Sequence, residues 1–548
     1  MLRINQLKLP VGHTEAELEK QVRKILRCRE NPKITIVRRS VDARKKPELY
    51  FNYILDIQVK NEADVYRKCN KKQVQICREV FYRFPVSGYS GEVRPVIIGT
   101  GPAGLFCGYM LANAGFKPIL LERGYPIEQR TKDVESFWES GNLNPESNVQ
   151  FGEGGAGTFS DGKLNTLVKD KYGRNKKVLS LFVEFGAPEE ILYDYKPHIG
   201  TDVLRKVVVN IRNAIEAMGG EVRFASRVTD IEIKENRISA LIINNTERLE
   251  TKFVVLAPGH SARDTFEMLY HKGISMEAKP FALGMRVEHP QELINLSQYG
   301  KAEEKVLGNA PYKVTARALD ERGVYSFCMC PGGYVVDASS EQGRLVVNGM
   351  SYSGRSGCNA NSAIIVSVTP GDYEGEGALA GVEFQRRLEE KAFQAGLGTI
   401  PVERYSDYKE AVNRKADGRI MGSGKTECQN KASVIPEDFM PQIKGRWSYG
   451  KVHEILPLSL SKAFVEGMEQ FGAVIKGFND GNVLVEGVES RTSSPVRILR
   501  DESLQSSLKG LYPCGEGAGY AGGITSAAMD GIRVAEEVAV HIMNEKSL

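Results

Sequence analysis

The sequence predicts an α/β protein with a parallel sheet, and three features of the chain carry this prediction. The first is "VIIGTGPAGLFCGYMLANAG", in which a short apolar strand, a glycine-rich turn and a helix follow one another. The second is the strand "PILLER", which ends in a charged pair. The third is "GLYPCGEGAGYAGGITSAAMDG", a second glycine-rich turn between a strand and a helix. A strand, a helix and a second strand in this order form the unit of parallel sheets.

The first glycine-rich turn has the spacing G-x-G-x-x-G, formed by Gly99, Gly101 and Gly104. In such a turn the first glycine permits a tight bend, the second lets a pyrophosphate approach, and the third lets helix and strand pack closely. The acidic Glu122 ends the next strand, where a carboxylate accepts hydrogen bonds from ribose hydroxyls. The free N–H groups at the helix start then face the phosphates. These features predict a Rossmann-like dinucleotide-binding domain, in which the adjoining binding residues are Pro102, Ala103 and Arg123.

The second turn lies about 400 residues further on, which an NAD-binding domain does not need. This pair of turns resembles the two-dinucleotide-binding-domain flavoproteins of the glutathione-reductase superfamily. The resemblance implies that non-covalent FAD is bound, with Gly515 and Glu516 near its ribityl and pyrophosphate groups. It also implies that Gly522 and Gly523 pass against the flavin ring, where side chains would collide, and that Ile524 opens the final helix. A helix N-terminus stabilises the negative charge of reduced flavin by about 0.3–2 kcal/mol.

Two segments between these turns add to the resemblance. The glycine-rich "FGEGGAGTFSDGKLNT" resembles the superfamily's loop along the flavin, which implies roles for Gly157 and Thr158. Several short strands after residue 220 resemble its β-meander, in which Val228 holds the position that contacts adenine. They end in "LAPGHS", which implies that Pro258 and Gly259 contact the cofactor. An ordinary surface loop remains the alternative for the first segment.

The chain has one dinucleotide fingerprint and no CxxC pair, whereas disulfide reductases have two fingerprints and such a pair. The stretches "RRSVDARKK", "YSFCMCPGGYV" and "VEGVESRTSSPVRI", with "GTFSDGKL", resemble a bacterial family of FAD-dependent dehydrogenases of unknown substrate. That resemblance covers nearly the whole chain. We therefore expect an FAD-binding domain at 93–270 and 495–548, interrupted by an inserted α+β substrate domain at 271–494.

Residues 1–92 are expected to form a separate basic α+β module with ferredoxin-like order. Residues 1–94 contain 21 Lys/Arg and 11 Asp/Glu, while the whole chain has a net charge of only +4. Thr14 and Glu17 predict a capping box at the start of the first helix, and residues 63–80 are expected to form a second helix. The basic surface is either an ordinary solvated face or a docking surface for nucleic acid or an acidic protein.

Several residues are candidates for chemistry beside the flavin. Cys328 and Cys330 in "CMCPGG" either exchange electrons with the cofactor or are small buried residues, and a disulfide across so short a loop would be strained. His198 is either a proton carrier or a structural histidine, and the same holds for His260. Arg491 holds an anionic substrate or the flavin, or else forms an ion pair within a hairpin. No metal site is predicted.

Composition limits the broad class of protein. The 548 residues are 41% hydrophobic and 26% charged, with no apolar run near the ~18 residues of a membrane helix. The nine cysteines are scattered, and the first residues lack the layout of a signal peptide, so we expect a cytoplasmic protein without a membrane association. Two functions remain open. One is an FAD-dependent oxidoreductase, with NAD(P)H as a transient donor that has no domain of its own. The other is a flavin-containing protein that binds RNA or another partner.

Overall fold

The N-terminal part is an antiparallel sheet with helices on it. The computed structural model describes residues 1–78, 80–417 and 433–545. The first four strands pair in the order β2-β3-β1-β4, with antiparallel neighbours throughout. The elements are β1 (Leu2–Pro10), α1 (Glu15–Leu26), β2 (Lys33–Lys45), β3 (Glu48–Gln58), α2 (Glu62–Lys68) and β4 (Val74–Ile76).

The expected helix over residues 63–80 was wrong in its second half. Helix α2 ends at Lys68, and strand β4 follows, pairing with β1 so that Val74 faces Ile4. The Asn70 side chain accepts a hydrogen bond from the Lys72 N–H at 3.0 Å, which is a local turn that competes with helix. The buried Val74 then completes the apolar face of the sheet.

A five-stranded parallel sheet forms the centre of the chain, in the order β24-β11-β5-β6-β7, in which β24 is the late strand Leu511–Pro513. Its strands come from both ends of the sequence, because the last strand returns beside β11. Helices α3, α5, α6 and α12 pack their apolar residues together in one core cluster. The elements are β5 (Val96–Ile98), α3 (Pro102–Asn113), β6 (Ile119–Leu121), α4 (Ile127–Ser140), α5 (Arg174–Glu184), α6 (Thr201–Ala217), β7 (Glu221–Arg223), β8 (Val228–Lys234), β9 (Arg237–Ile243), β10 (Glu247–Glu250), β11 (Val254–Leu256) and α7 (Arg263–His271).

The following segment forms a larger and mostly antiparallel sheet. Its seven strands have the order β14-β15-β18-β13-β22-β19-β21. A second sheet of three strands, β17-β16-β20, lies beside it. The elements are β12 (Met276–Ala278), β13 (Phe281–Pro290), α8 (Gln291–Tyr299), β14 (Thr315–Arg317), β15 (Gly323–Cys330), β16 (Tyr334–Asp337), β17 (Val347–Met350), β18 (Asn359–Val368), α9 (Ala380–Ala395), β19 (Ile400–Arg404), α10 (Tyr405–Ala416), β20 (Ile443–Lys444), β21 (Trp447–Tyr449), α11 (Leu458–Val474) and β22 (Leu484–Glu489).

The chain leaves and re-enters the parallel-sheet region at one place. Strand β12 pairs antiparallel with β23 (Val496–Ile498), so the outgoing and returning segments lie side by side. The last elements are β24 (Leu511–Pro513) and α12 (Ile524–Glu545). The fold is therefore a mixed α/β structure with a parallel sheet.

Charged side chains connect the N-terminal sheet to the rest of the molecule. Arg39 in β2 forms a two-pronged ion pair with Asp194, at 2.7 and 3.1 Å. The neighbouring Arg38 lies over the ring of Tyr195, with its guanidinium carbon 4.0 Å from the ring centre. Two arginines of the basic stretch therefore make contacts within the molecule. In the part of the chain that the structure describes, no helix has the length and hydropathy needed to cross a bilayer.

Candidate active site

A channel runs along the carboxyl edge of the parallel sheet. Its wall contains Ile98, Leu121, Ala257 and Cys514, which lie at or just beyond the ends of β5, β6, β11 and β24. Ligands of open parallel sheets bind at this edge, because the loops that follow the strands can vary without disturbing the core. The channel continues past both glycine-rich turns and ends against the larger sheet at Phe327, Cys328, Asn348, Glu489 and Thr492.

The first turn has the backbone that its glycines predict. Gly99 has a φ of +98°, and a Cβ there would lie 2.3 Å from the carbonyl oxygen of Ala257. A Cβ at Gly104 would lie 1.9 Å from the Gly99 oxygen, so this position packs the helix onto the turn. At Gly101 the nearest atom to an added Cβ is 3.9 Å away. A larger side chain there would therefore project into the channel.

The N-terminus of α3 faces the channel without a side-chain cap. Gly101 is the N-cap residue and has no side chain with which to cap the helix. Pro102 and Ala103, which follow it, line the channel wall. The first N–H groups of a helix have no partner within the helix, and they carry partial positive charge. This end of the channel therefore fits a phosphate-bearing ligand.

The charged pair after β6 binds protein groups as well as lining the channel. The buried Glu122 carboxylate accepts hydrogen bonds from the N–H groups of Thr100, Gly124 and Gly152, at 2.9–3.0 Å. It thereby connects three loops at the channel edge. The Arg123 guanidinium donates to Glu146 and Asp264, both at 2.8 Å.

The second turn also contributes residues to the channel wall. The Glu516 carboxylate accepts a hydrogen bond from the Nδ1 atom of His260 at 3.0 Å, and both residues line the wall. The Nε2 atom of His260 is buried and has no hydrogen-bond partner among the described residues. An added Cβ at Gly522 or Gly523 meets nothing within 4 Å, and α12 begins directly afterwards at Ile524. The wall therefore has room here and an unused polar atom, which fits a bound cofactor.

The far end of the channel carries a thiol, a carboxyl group and a buried arginine. Arg286 donates from Nε to Oε2 of Glu489 at 2.5 Å and from one terminal nitrogen to the Cys328 carbonyl oxygen at 3.0 Å. Burial raises the pKa of Glu489 to about 7, against the opposing charge of Arg286. A carboxyl group with this pKa is suited to proton transfer near neutral pH. A Cβ at Gly349 would lie 2.1 Å from the Arg286 guanidinium, so the glycine makes room for it.

A second charged cluster lies next to Cys328 but outside the channel lining. Asp161 is buried, and its carboxylate pairs with Lys163 at 2.9 Å and with Arg355 at 2.7 Å. His198 Nε2 lies 3.7 Å from the same carboxylate. Burial lowers the pKa of His198 to about 4, in spite of Asp161. The imidazole is therefore neutral near pH 7 in this structure.

Arg491 lines the channel, but its charge is already paired. Its Nε and one terminal nitrogen donate to the two oxygens of Glu389 at 3.0 and 2.7 Å, and its other terminal nitrogen donates to Ser340 at 2.6 Å. Glu389 lies in α9 and also pairs with Arg263. The partner is thus on a distant helix rather than within the hairpin of Arg491.

The structure brings most of the candidate residues of the sequence analysis to one channel. Those that do not line it are Gly104, Thr158, Gly515, Cys330 and His198. Those that line it are Gly99, Gly101, Pro102, Ala103, Glu122, Arg123, Gly157, Val228, Pro258, Gly259, His260, Glu516, Gly522, Gly523, Ile524, Cys328 and Arg491.

Four residues of the site were missed by the sequence analysis. Asp161 and Lys163 lie within the quoted stretch "GTFSDGKL", and Glu489 lies within "VEGVESRTSSPVRI", so both stretches contained a signal. Arg286 has no local signal, because its importance arises only when β13 pairs with β22. The described residues contain no group of three or more metal-ligating side chains that would hold an ion.

The parallel sheet and the channel at its carboxyl edge define the class: an α/β protein with a ligand channel between two glycine-rich turns. The chain belongs to the family of an uncharacterized protein of Clostridium beijerinckii, with which it is 43% identical over 544 residues, 98% of each chain. Residues 280–492 match the family "FAD-dependent protein, C-terminal domain-like". Residues 1–58 match a domain of unknown function, DUF8436.

Solved structures to which the chain is similar include two enzymes of Bacillus species. Glycine oxidase from Bacillus cereus is 11% identical, with 82% of this chain and 96% of that chain covered and a TM-score of 0.33. The glycerol-3-phosphate dehydrogenase from Bacillus halodurans, complexed with FAD, is 10% identical, with 82% and 65% covered and a TM-score of 0.35. TM-scores of this size establish neither a shared substrate nor a shared reaction.

Proposed function

We propose that this chain is an FAD-dependent oxidoreductase that exchanges a hydride with a small organic substrate. One observation carries the proposal: a single channel joins the Gly99–Gly104 turn to the Gly522–Gly523 turn and ends at Cys328 and Glu489. The family match over residues 280–492 supports FAD as the dinucleotide. The substrate would enter where the parallel-sheet region meets the larger sheet.

The residues along the channel divide the work of holding FAD. The N-terminus of α3 and Gly101 would bind the pyrophosphate, because they supply free N–H groups and space. Val228 and Arg123 line the end assigned to adenosine, and Gly522 and Gly523 line the end assigned to the ring. We propose that the FAD is non-covalent. Bound FAD supplies two-electron transfer, and the protein positions and tunes it.

The protein's own groups then control protons at the reactive end. Glu489 is the channel-lining carboxyl group with a pKa near 7, so it can hold or release a proton there. Arg286 fixes the orientation of this carboxyl group through a short hydrogen bond. Arg491 is assigned a structural part, because all three of its nitrogen atoms are used by Glu389 and Ser340.

The proposal includes the division of the chain into three parts. Residues 1–92 would form a ferredoxin-like module, supported by the sheet order β2-β3-β1-β4. Residues 93–270 and 495–548 would form the FAD-binding domain, and 271–494 the inserted substrate domain. The pairing of β12 with β23 supports this division, because it closes the insertion at its base.

The test is the absorbance spectrum of the purified full-length protein. We expect a yellow protein that releases FAD into the supernatant on denaturation, as identified by chromatography. Under anaerobic conditions, the flavin absorbance should bleach on addition of NADH, NADPH or one compound of a metabolite panel. A colourless protein that cannot be reconstituted with FAD would contradict the proposal.

A further inference from the structure

Two cysteines at the end of the channel are placed by an irregular strand. Cys328 and Cys330 end β15, whose pairing with β18 shifts register between Phe327 and Cys330. Cys328 has a φ of +43°, a conformation that residues other than glycine rarely adopt. Such bulges re-aim a side chain next to functional sites. Cys328 accordingly lines the channel, while Cys330 is fully buried behind it.

The two thiols are close, and their surroundings differ. The Cys330 Sγ atom lies 3.2 Å from the Cys328 carbonyl oxygen, so its thiol is directed back at the Cys328 residue. The hydrogen bond from Cys330 lowers the pKa of the Cys328 thiol, burial opposes this, and the charges of Lys163 and Arg286 lower it further. Burial raises the pKa of the Cys330 thiol. The negative charge of Asp161 acts in the other direction and raises the pKa of Cys328, but Asp161 is itself paired with Lys163.

Glu489, on β22, lines the same channel as Cys328. The Glu489 side chain is held by Arg286, and the charge of Cys328 is one cause of its raised pKa. A thiolate beside a protonated carboxyl group is an arrangement that supports nucleophilic attack and protonation of a leaving group. The channel thus ends in a nucleophile, a second thiol behind it and an acid beside it.

We propose that Cys328 and Cys330 form a thiol–disulfide exchange pair, with Cys328 as the attacking thiolate, Cys330 as the resolving thiol, and small organic disulfides as the substrate class. This inference rests on the proposed function for the source of electrons. It goes beyond that function by assigning the thiols and the kind of substrate.

The exchange balances without any further reactant. The Cys328 thiolate attacks one sulfur of the disulfide, so that a mixed disulfide forms, and the first substrate thiolate leaves and takes up the proton that the Cys328 thiol released when it ionised. The Cys330 sulfur, after losing its proton, then attacks the Cys328 sulfur, and the bond to the substrate breaks. The second substrate thiolate leaves and takes that proton. The pair has been oxidised to a disulfide by two electrons, and the substrate disulfide has been reduced to two thiols. The short loop strains the Cys328–Cys330 disulfide, and this strain favours its reduction back to two thiols.

The test traps the mixed disulfide on the full-length protein, using 2-hydroxyethyl disulfide as the probe. In the wild type, we expect a Cys328–Cys330 disulfide, seen by mass spectrometry as the loss of two hydrogens and of two alkylation sites. In Cys330→Ser, an adduct of one hydroxyethylthio group should accumulate on Cys328. In Cys328→Ser, neither product should form. Cys358→Ser, which changes an exposed cysteine, is the matched control and should behave as the wild type.

A second readout is the rate at which iodoacetamide alkylates Cys328. The rate should fall less steeply between pH 8 and pH 6.5 than that of free cysteine, which, with a pKa of about 8.5, falls more than tenfold. The inference would be overturned if Cys328 and Cys330 both remained open to alkylation after treatment with the probe. It would also be overturned if the Cys330→Ser variant formed no adduct. Flavin that still bleaches in that case would leave the proposed function intact. A colourless protein whose thiols still exchange would instead overturn the proposed function alone.

Discussion

The carboxylate of Glu489 and the guanidinium of Arg286 meet at 2.5 Å on neighbouring strands of the larger sheet, and both side chains are buried. Gly284 rather than Arg286 is the registered partner of Glu489, because the pairing of β13 with β22 shifts after Met285. That irregularity brings the arginine beside the carboxyl group. Glu489 lines the channel and Arg286 supports it from behind, so the protonation state of Glu489 affects both the stability of the sheet and the chemistry proposed for the site.

Glu489→Gln should change how stability depends on pH. The pKa of Glu489 is raised from its ordinary value of 4.5 to about 7, chiefly by burial. A carboxyl group with a raised pKa stabilises the fold fully below its unfolded pKa, and this contribution is lost as the pH rises through the folded pKa. The free energy of unfolding of the wild type minus that of Glu489→Gln should therefore fall between pH 4.5 and pH 7.

Urea denaturation at pH 4.5, 6 and 7.5 measures this difference. Glu216→Gln, at an exposed position of α6, is the control and should show no such trend. A difference between wild type and Glu489→Gln that stays constant across this range would show that the carboxyl group does not have a raised pKa.

Arg491→Ala should destabilise the protein rather than weaken binding alone. The substitution leaves the fully buried Glu389 with Arg263 as its remaining bidentate partner. Removing one member of a buried ion pair typically costs about 3–5 kcal/mol when the remaining charge is left unpaired, and the cost here should lie below that range because Arg263 still pairs with Glu389. Arg317→Ala breaks an exposed ion pair with Glu321 and should cost less than about 1 kcal/mol. Denaturant unfolding compares the two; equal losses would argue against a structural part for Arg491.

Gly101→Val should prevent cofactor retention while the protein stays folded. The added side chain projects into the channel, since the nearest atom to its Cβ is 3.9 Å away. It would occupy the place assigned to the pyrophosphate. Gly12→Val adds the same side chain at an exposed position with nothing within 4 Å, and it should retain FAD. The measurement is the flavin-to-protein absorbance ratio after gel filtration, with circular dichroism to verify folding. A normal ratio in Gly101→Val would refute the placement.

Local sequence signals predicted the elements that depend on neighbouring residues. The capping box of Thr14 and Glu17 is confirmed, with hydrogen bonds in both directions. The strand Val96–Ile98, the helix that follows Gly101 and the final helix beginning at Ile524 also agree with the prediction. In each case a special backbone requirement, a cap or a glycine turn, appears within a few residues.

The parts that could not be predicted depend on distant contacts. The sequence predicted helix where strand β4 forms, because three residues carry too little periodicity to reveal pairing with β1. The partner of Arg491 lies about 100 residues away on α9, and no local pattern indicates it. Likewise, Lys163 and Arg286 approach Cys328 from two separate segments. Such clusters form only when the whole sheet is assembled.

The last prediction concerns Gly522 and Gly523, which line the channel beside the start of α12. Leucine at either position should lower FAD affinity, because an added Cβ meets no protein atom and the rest of the side chain enters the ligand space. By analogy with overfilled protein cores, the clash should cost about 1–3 kcal/mol of binding free energy, or roughly fivefold to 150-fold in Kd. The reduction potential should also shift, since the helix N-terminus after Gly523 would no longer lie against the ring at the same distance.

Gly371→Leu, at an exposed glycine whose nearest contact is the Thr369 hydroxyl at 3.8 Å, is the matched control for both measurements. FAD titration by fluorescence quenching gives the affinity, and anaerobic dye equilibration gives the potential. If leucine at 522 and 523 changes neither quantity more than leucine at 371, these glycines serve only the turn before α12, and the ring lies elsewhere.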